Sequence, residues 1–427
     1  MRLAWPCLAF ALACSTAAGA DRTSSWTELR PLYEDLHAHP ELSFQETATA
    51  KKLAERLSAL GFEVTAGVGR TGVVGVLRNG KGPTVMLRTD MDGLPIEEKT
   101  NLAYASRATG TDPAGKTVPV MHACGHDVHM TAWVGAATWF ARNRKAWSGT
   151  LLMVGQPAEE RGGGARAMLA DGLLSRFPRP DAALAIHDAD LLPAGAVAIK
   201  AGPVMASSDS IDLVVHGRGG HGARPNNAVD PIVIASKIVV GLQTLVSREN
   251  DPFDPAVVTV GSFHAGTKHN IIPDEARLQI TVRSLRAEVR DRLVDGIRRI
   301  AQAEAQAARA PRPPEIVIGE GLPPTTNDPA LSARVEAALR KALGASRVHP
   351  GYMLMVAEDF SLYGKAGIPA VMVWVGAVNP ERFERAKAKG EPLPGLHSAA
   401  FAPDPEPTIT TAIDTLVASA RAVFARR

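Results

Sequence analysis

Residues able to bind a cation or move a proton recur along this chain in short, spaced groups. Leu87-Arg88-Thr89-Asp90-Met91-Asp92-Gly93 places two carboxylates at the end of an apolar run. In open α/β sheets, sites form at the carboxyl ends of strands, so these acids could serve a ligand or merely cap a helix and a turn. Met121-His122-Ala123-Cys124-Gly125-His126-Asp127 sets a thiol and an imidazole two residues apart across a glycine. Such a pair can converge on a metal, act as nucleophile and base, or be a buried thiol beside a surface histidine. Gln156-Pro157-Ala158-Glu159-Glu160 follows another apolar run. Adjacent glutamates belong either to a solvated loop or to a strand end, where one binds metal and its neighbour takes a proton from water. His187 closes the run 181–186, and His397 sits in Leu396-His397-Ser398. Each histidine alone reads as structural. Ligand types delivered by several strand ends point instead to one centre. Five ligands exceed a single tetrahedral site, which favours two metals sharing a ligand.

A second group lies mid-chain. Gly219-Gly220-His221-Gly222-Ala223-Arg224-Pro225 puts a histidine in a glycine-rich turn, and His269-Asn270-Ile271-Ile272-Pro273 and Arg283 add donors. These are either turns between strands or donors that close over a substrate carboxylate and a developing oxyanion.

The elements that must position these residues follow from periodicity. Helical spacing covers residues 26–60, broken at His39-Pro40 and ended by Gly61. Continuous apolar runs at 72–77, 84–87, 150–154, 182–186 and 371–375 alternate with helical stretches such as 130–142 and 165–170. That pattern predicts an α/β fold with a largely parallel sheet covered on both faces. Between them, strands at 208–216, 256–263, 275–283 and 315–318 and helices at 230–247 and 287–310 run β-α-β-β-α-β, the ferredoxin-like order. The expected division is a catalytic domain of residues 21–202 and 321–427, interrupted by a unit at 203–320.

At 427 residues the chain is too long for one ordinary core. A net charge of +3 with signs interspersed argues against a nucleic-acid partner. Residues 1–20 read as a signal peptide: Arg2, an apolar stretch, then Ala18-Gly19-Ala20 before Asp21. A lipoprotein route through Cys14 is the weaker reading, because Ala11-Leu12-Ala13 matches its pattern poorly. No later run reads as a membrane span. Removing residues 1–20 would leave Cys124 as the sole thiol in an oxidising compartment, where metal coordination would protect it.

The segments LRTDMDGLPIEE, MHACGHDVHM, GQPAEERGGGA, HGRGGHGARP, HNIIP, AEDFSLY and GLHSAAF, in this order, make the chain resemble one family. It is similar, from about Leu29 to near the C-terminus, to the hippurate hydrolases, N-acyl-amino-acid amidohydrolases and indole-acetyl-amino-acid hydrolases. These are a branch of the wider aminoacylase and carboxypeptidase family. The resemblance implies a zinc-peptidase-like catalytic domain in which Cys124, His126, Glu160, His187 and His397 bind two divalent metals. It implies that Glu159 is the general base, that Asp92 orients a ligand, and that the inserted unit is a lid that also forms a homodimer. His221 would then reach the partner's active site, and Asn270 and Arg283 would lie near the substrate carboxylate. Glu358 and Asp359 belong to a motif near the site. Asp188-Ala189-Asp190 after His187 and Ala399 after His397-Ser398 depart from the commoner pattern; neither removes a ligand. The metal is expected to be zinc on ligand softness or manganese by resemblance, with cobalt or nickel as substitutes. The expected reaction is hydrolysis of the amide of an N-acyl amino acid. A dipeptidase or carboxypeptidase using the same centre is the alternative. A non-catalytic periplasmic binding protein would leave the ligand set idle; a Cys124 thiol hydrolase would survive chelation and be killed by alkylation.

Overall fold

A computed structural model describes residues 26–425; the signal-peptide reading falls outside them. Eight strands form the main sheet in the order Glu63–Val68, Gly72–Asn79, Gly149–Gln156, Thr84–Asp90, Ala182–Pro193, Ala370–Val378, Val197–Ile199, Val348–Pro350. The four from Gly149–Gln156 to Ala370–Val378 run parallel. The first two strands add antiparallel to their edge. Central strands bury both faces, which is why they read as unbroken apolar runs. One face packs against the helices Trp26–Ala38, Thr47–Ala59, His126–Arg142, Pro329–Leu343 and Pro405–Phe424. The other packs against Gly164–Ala170 and Ser361–Lys365.

Two differences from the sequence reading matter for the site. Helix His126–Arg142 begins four residues before the expected start, and nearly all of it is buried. A helix without a polar face shows little amphipathic period at its entrance, so its start is hard to read. The strand expected to end at Ile186 continues to Pro193, pairing His187 with Trp374 and Asp188 with Val375. The polar run His187-Asp188-Ala189-Asp190 is therefore interior to a strand rather than its boundary.

The inserted segment folds on its own sheet. Its strands lie in the order Ala256–Ala265, Glu275–Ser284, Asp209–His216, Glu315–Ile318, all antiparallel, which is the ferredoxin-like topology. Helices Pro231–Thr244 and Ala287–Ala307 cover one face through a core that includes Ile234, Ile238, Leu278 and Ile297. Pro231–Glu249 is long and apolar enough to cross a membrane by length and composition alone. Its inner side is part of this core, while Val233 and Val240 remain 52% and 71% exposed. Gly202–Met205 pairs with Thr325–Asn327 where the chain enters and leaves the unit.

Candidate metal centre

The carboxyl ends of two central strands, the middle of a third and the start of one helix converge. Thr84–Asp90 leads to Asp92, Gly149–Gln156 leads to Glu159 and Glu160, and Ala182–Pro193 carries His187. Cys124 and His126 arrive at the N-terminus of His126–Arg142. Gly125 makes that approach, with φ of 73° and a site so tight that a Cβ would lie 2.0 Å from Asp188 Oδ2. His397 adopts the left-handed region (φ 62°) and anchors its backbone by donating to the Ala123 carbonyl at 2.8 Å.

Two of the buried imidazoles are held by their Nδ1. His126 Nδ1 donates to the Asp92 carbonyl at 2.7 Å, and His187 Nδ1 to the Asp188 carbonyl at 2.8 Å. In the neutral imidazole that a metal requires, both Nε2 atoms carry the lone pair and face inward. Cys124 Sγ lies 3.6 Å from His187 Nε2. His126 Nε2 lies 3.9 Å from Glu159 Oε2 and from Glu160 Oε1, and Glu160 Oε1 is 3.4 Å from His397 Nε2. Cys124, His126 and His187 form one cluster of ligand atoms within 4.8 Å of one another; Cys124, Glu160 and His397 form a second. Among the described residues His126 Nε2 and Glu160 Oε1 are buried without a hydrogen-bond partner. A buried orphan imidazole facing a buried orphan carboxylate fits a cation, and two clusters sharing one sulfur fit two.

Electrostatics point the same way. Burial, then Glu160 and Asp188, push the Cys124 thiol well above its usual range. Burial, then Glu358, Glu160 and Asp359, raise Glu159 as well, against the pull of Arg88. Divalent charge would offset the penalty that this pocket sets on its own anions.

The turn bearing the glutamates is fixed by two carboxylates on other elements. Asp92 Oδ1 accepts from Glu159 N at 3.0 Å and Oδ2 from Glu160 N at 3.2 Å; Ser43 Oγ donates to Oδ2 at 2.6 Å. Glu46 Oε1 accepts from Ala158 N at 2.8 Å, holding Ala158 at φ 49°. Glu46 is fully buried, and burial followed by the charge of Asp92 raises it to about 7. Sequence reasoning missed Glu46, whose contact spans more than a hundred residues. It also missed His129, which lies between Asp90 Oδ1 (2.7 Å) and Asp188 Oδ1 (3.2 Å) and is held at about 9 by them against burial. Arg88 was passed over as part of a motif. It is buried and donates to Asp90 at 2.6 Å, Glu358 at 2.8 Å, Asp359 at 3.1 Å and Gln156 at 3.0 Å. This gives the Glu358-Asp359 motif a physical role: it anchors the guanidinium behind Glu159.

The centre opens into a cleft of about 760 Å³ between the two units. Cys124, Glu159, Glu160, His187 and His397 line one end, and Arg283 reaches in from the inserted sheet. Arg283 is half-buried, and among the described residues no carboxylate lies within ion-pair distance of it. His221 and Asn270 are not part of this lining. Both are exposed at the tip of the inserted unit, where Gly222 N donates to the Asn270 carbonyl and Ala223 N donates to His221 Nδ1 at 3.0 Å.

A mostly parallel sheet delivering thiolate, imidazole and carboxylate ligands to one cleft defines a metal-dependent hydrolase of mixed α/β architecture. Residues 86–392 match the peptidase family M20/M25/M40, and the chain belongs to that family. It is 40% identical to a hippurate hydrolase of Campylobacter jejuni over 79% of this chain and 85% of that one. It is 39% identical to an N-acetylcysteine deacetylase of Bacillus subtilis over 84% and 90%. A solved Bacillus subtilis structure described as a dinuclear metal-binding peptidase of family M20 superposes with a TM-score of 0.76 at 32% identity, covering 93% of this chain and 98% of that one.

Proposed function

We propose that this protein hydrolyses the amide bond of N-acyl amino acids. Cys124, His126, Glu160, His187 and His397 would hold two divalent cations, zinc or manganese, with cobalt or nickel as substitutes. When bound, these supply Lewis acidity that polarises the amide carbonyl and lowers the pKa of a water toward neutrality. Glu159 accepts the proton of the attacking water and passes it to the departing amine nitrogen. Asp92 and Glu46 keep its backbone fixed while it does so. Arg283 meets the substrate carboxylate from the inserted unit. His221 donates from a second copy to the developing oxyanion, with Asn270 beside it. The supporting observation for a second copy is the exposed apolar pair Val233 and Val240 beside the unpaired edge strand Ala256–Ala265. The reading also includes export with cleavage after Ala20, which N-terminal mass analysis of the mature protein tests.

The observation that carries the reading is Glu159, 8% exposed and 3.9 Å from the orphaned Nε2 of His126. Glu159→Gln retains metal stoichiometry and loses about two to four orders of magnitude in kcat. Near-normal turnover would sink the assignment.

A further inference from the structure

We propose that the cleft selects a bulky apolar acyl group of about six carbons or more, and that Val356 and its neighbours form the acyl-binding wall. This rests on the amidohydrolase reading above and names the half of the substrate which that reading leaves open.

The wall is built from three chain segments that converge only in the fold. Ala206 N donates to the Val356 carbonyl at 2.8 Å, and Leu354 N to the Val204 carbonyl at 3.0 Å. Met205 bridges Leu354, and Ser208 bridges Leu322. Met205, Leu322 and Leu354 thereby join the apolar cluster that contains Trp374. Trp374 meets the His187 ring edge-on at 5.5 Å and is backed by Tyr352, stacked at 5.2 Å. An apolar surface therefore begins beside a ligand histidine and runs outward to Val356, which lines the cleft and is 50% exposed.

The facing side of the cleft is polar. Ser210, Thr281 and Arg283 project into it from the inserted sheet. Arg283 suits the carboxylate of the amino-acid half, which leaves the apolar side chains of Leu322, Leu354 and Val356 to the acyl half, with Arg161 and Glu320 also in the lining. An acetyl group would leave the exposed Val356 and the half-buried Leu322 and Leu354 in water. Thioether and aliphatic side chains adapt to differing apolar shapes, so the wall favours size over one exact outline. Each methylene buried there is worth about a fourfold gain in kcat/KM. A relative 39% identical is named for removing an acetyl group, so membership of the family does not set the acyl size and the choice rests on this chain's own lining.

The test keeps glycine constant and lengthens the acyl group: acetyl, butanoyl, hexanoyl and phenylacetyl glycine, on the metal-loaded full chain. Expected is a kcat/KM that climbs about fourfold per methylene to hexanoyl. Val356→Asp should lower the hexanoyl-to-acetyl ratio about tenfold or more, and Val356→Ile should preserve it. Calorimetric titration of the Glu159→Gln protein with hexanoyl and acetyl glycine reads the same preference without turnover. A flat series, or acetyl glycine as best substrate and tightest ligand, overturns the wall. Tighter hexanoyl binding with no hydrolysis of any member by the metal-loaded chain supports the wall and overturns the amidohydrolase reading instead.

Discussion

His37 lies between two carboxylates, with Nδ1 2.7 Å from Asp127 and Nε2 3.0 Å from Glu98. Burial alone would depress its pKa, but these hydrogen bonds outweigh it and hold the imidazolium up to about 10. The sign follows directly. A folded pKa above the unfolded 6.5 contributes stability that is complete below about pH 6.5 and lost as pH rises through about 10. Since Asp127 is the second residue of the helix that starts at His126, the clamp ties the first helix to the one that begins at the candidate metal centre. His37→Gln should therefore lower Tm at pH 7 by several degrees, roughly 5 °C or more. The gap to the parent should close toward pH 10.5. A pH-independent gap in the melting curves would dismiss the clamp. At this scale the candidate ligands were legible as candidates, because Cys, His and Glu carry their chemistry in their type, and the fold gathers Cys124, His126, Glu160, His187 and His397 into adjoining clusters. His37, Glu46, His129 and Arg88 were not, since each acts through a partner that is distant in sequence or shared among several carboxylates.

Elements, rather than residues, decide whether those ligands meet. Three parallel strands run toward the same side of the sheet, two of them ending there, and helix His126–Arg142 begins there, so the convergence is a consequence of topology. Alternation of apolar runs and helices made this sheet readable in advance. The continuation of Ala182–Pro193 was hidden, because its polar residues find partners only after folding: Asp188 with His129, His187 with its own following carbonyl. Gly125 is a tight joint in this arrangement. An alanine would have to adopt the left-handed region and displace Asp188 from a Cβ only 2.0 Å away. Gly125→Ala is expected to cost at least about 2 kcal/mol and to reduce bound metal, because Asp188 supports both His129 and the strand carrying His187. Unchanged thermal unfolding together with full metal stoichiometry would show that the joint is looser than its geometry implies.

The whole molecule raises a question that one chain leaves open: which copy supplies His221. The ferredoxin-like order of the inserted unit was readable from local alternation, whereas its placement over the cleft depends on contacts between units. Within one chain that unit delivers Arg283 to the cleft and keeps His221 exposed at its tip, with Nδ1 already accepting from Ala223 and Nε2 available as a donor. If a second copy completes each site, two separately inactive proteins should rescue one another. Glu159→Gln spoils its own centre but keeps a sound His221; His221→Ala does the reverse. In a mixed dimer, the centre with intact Glu159 faces the intact His221, and the other centre lacks both. Random reassortment makes about half the dimers mixed, so an equimolar mixture should recover about one quarter of the parental activity. Recovery should require exchange, appearing only after the two are mixed under conditions that dissociate dimers, with oligomeric state followed by light scattering. If the mixture stays as inactive as its components while mixed dimers demonstrably form, His221 acts within its own chain or not at all, and the two-copy site must be abandoned.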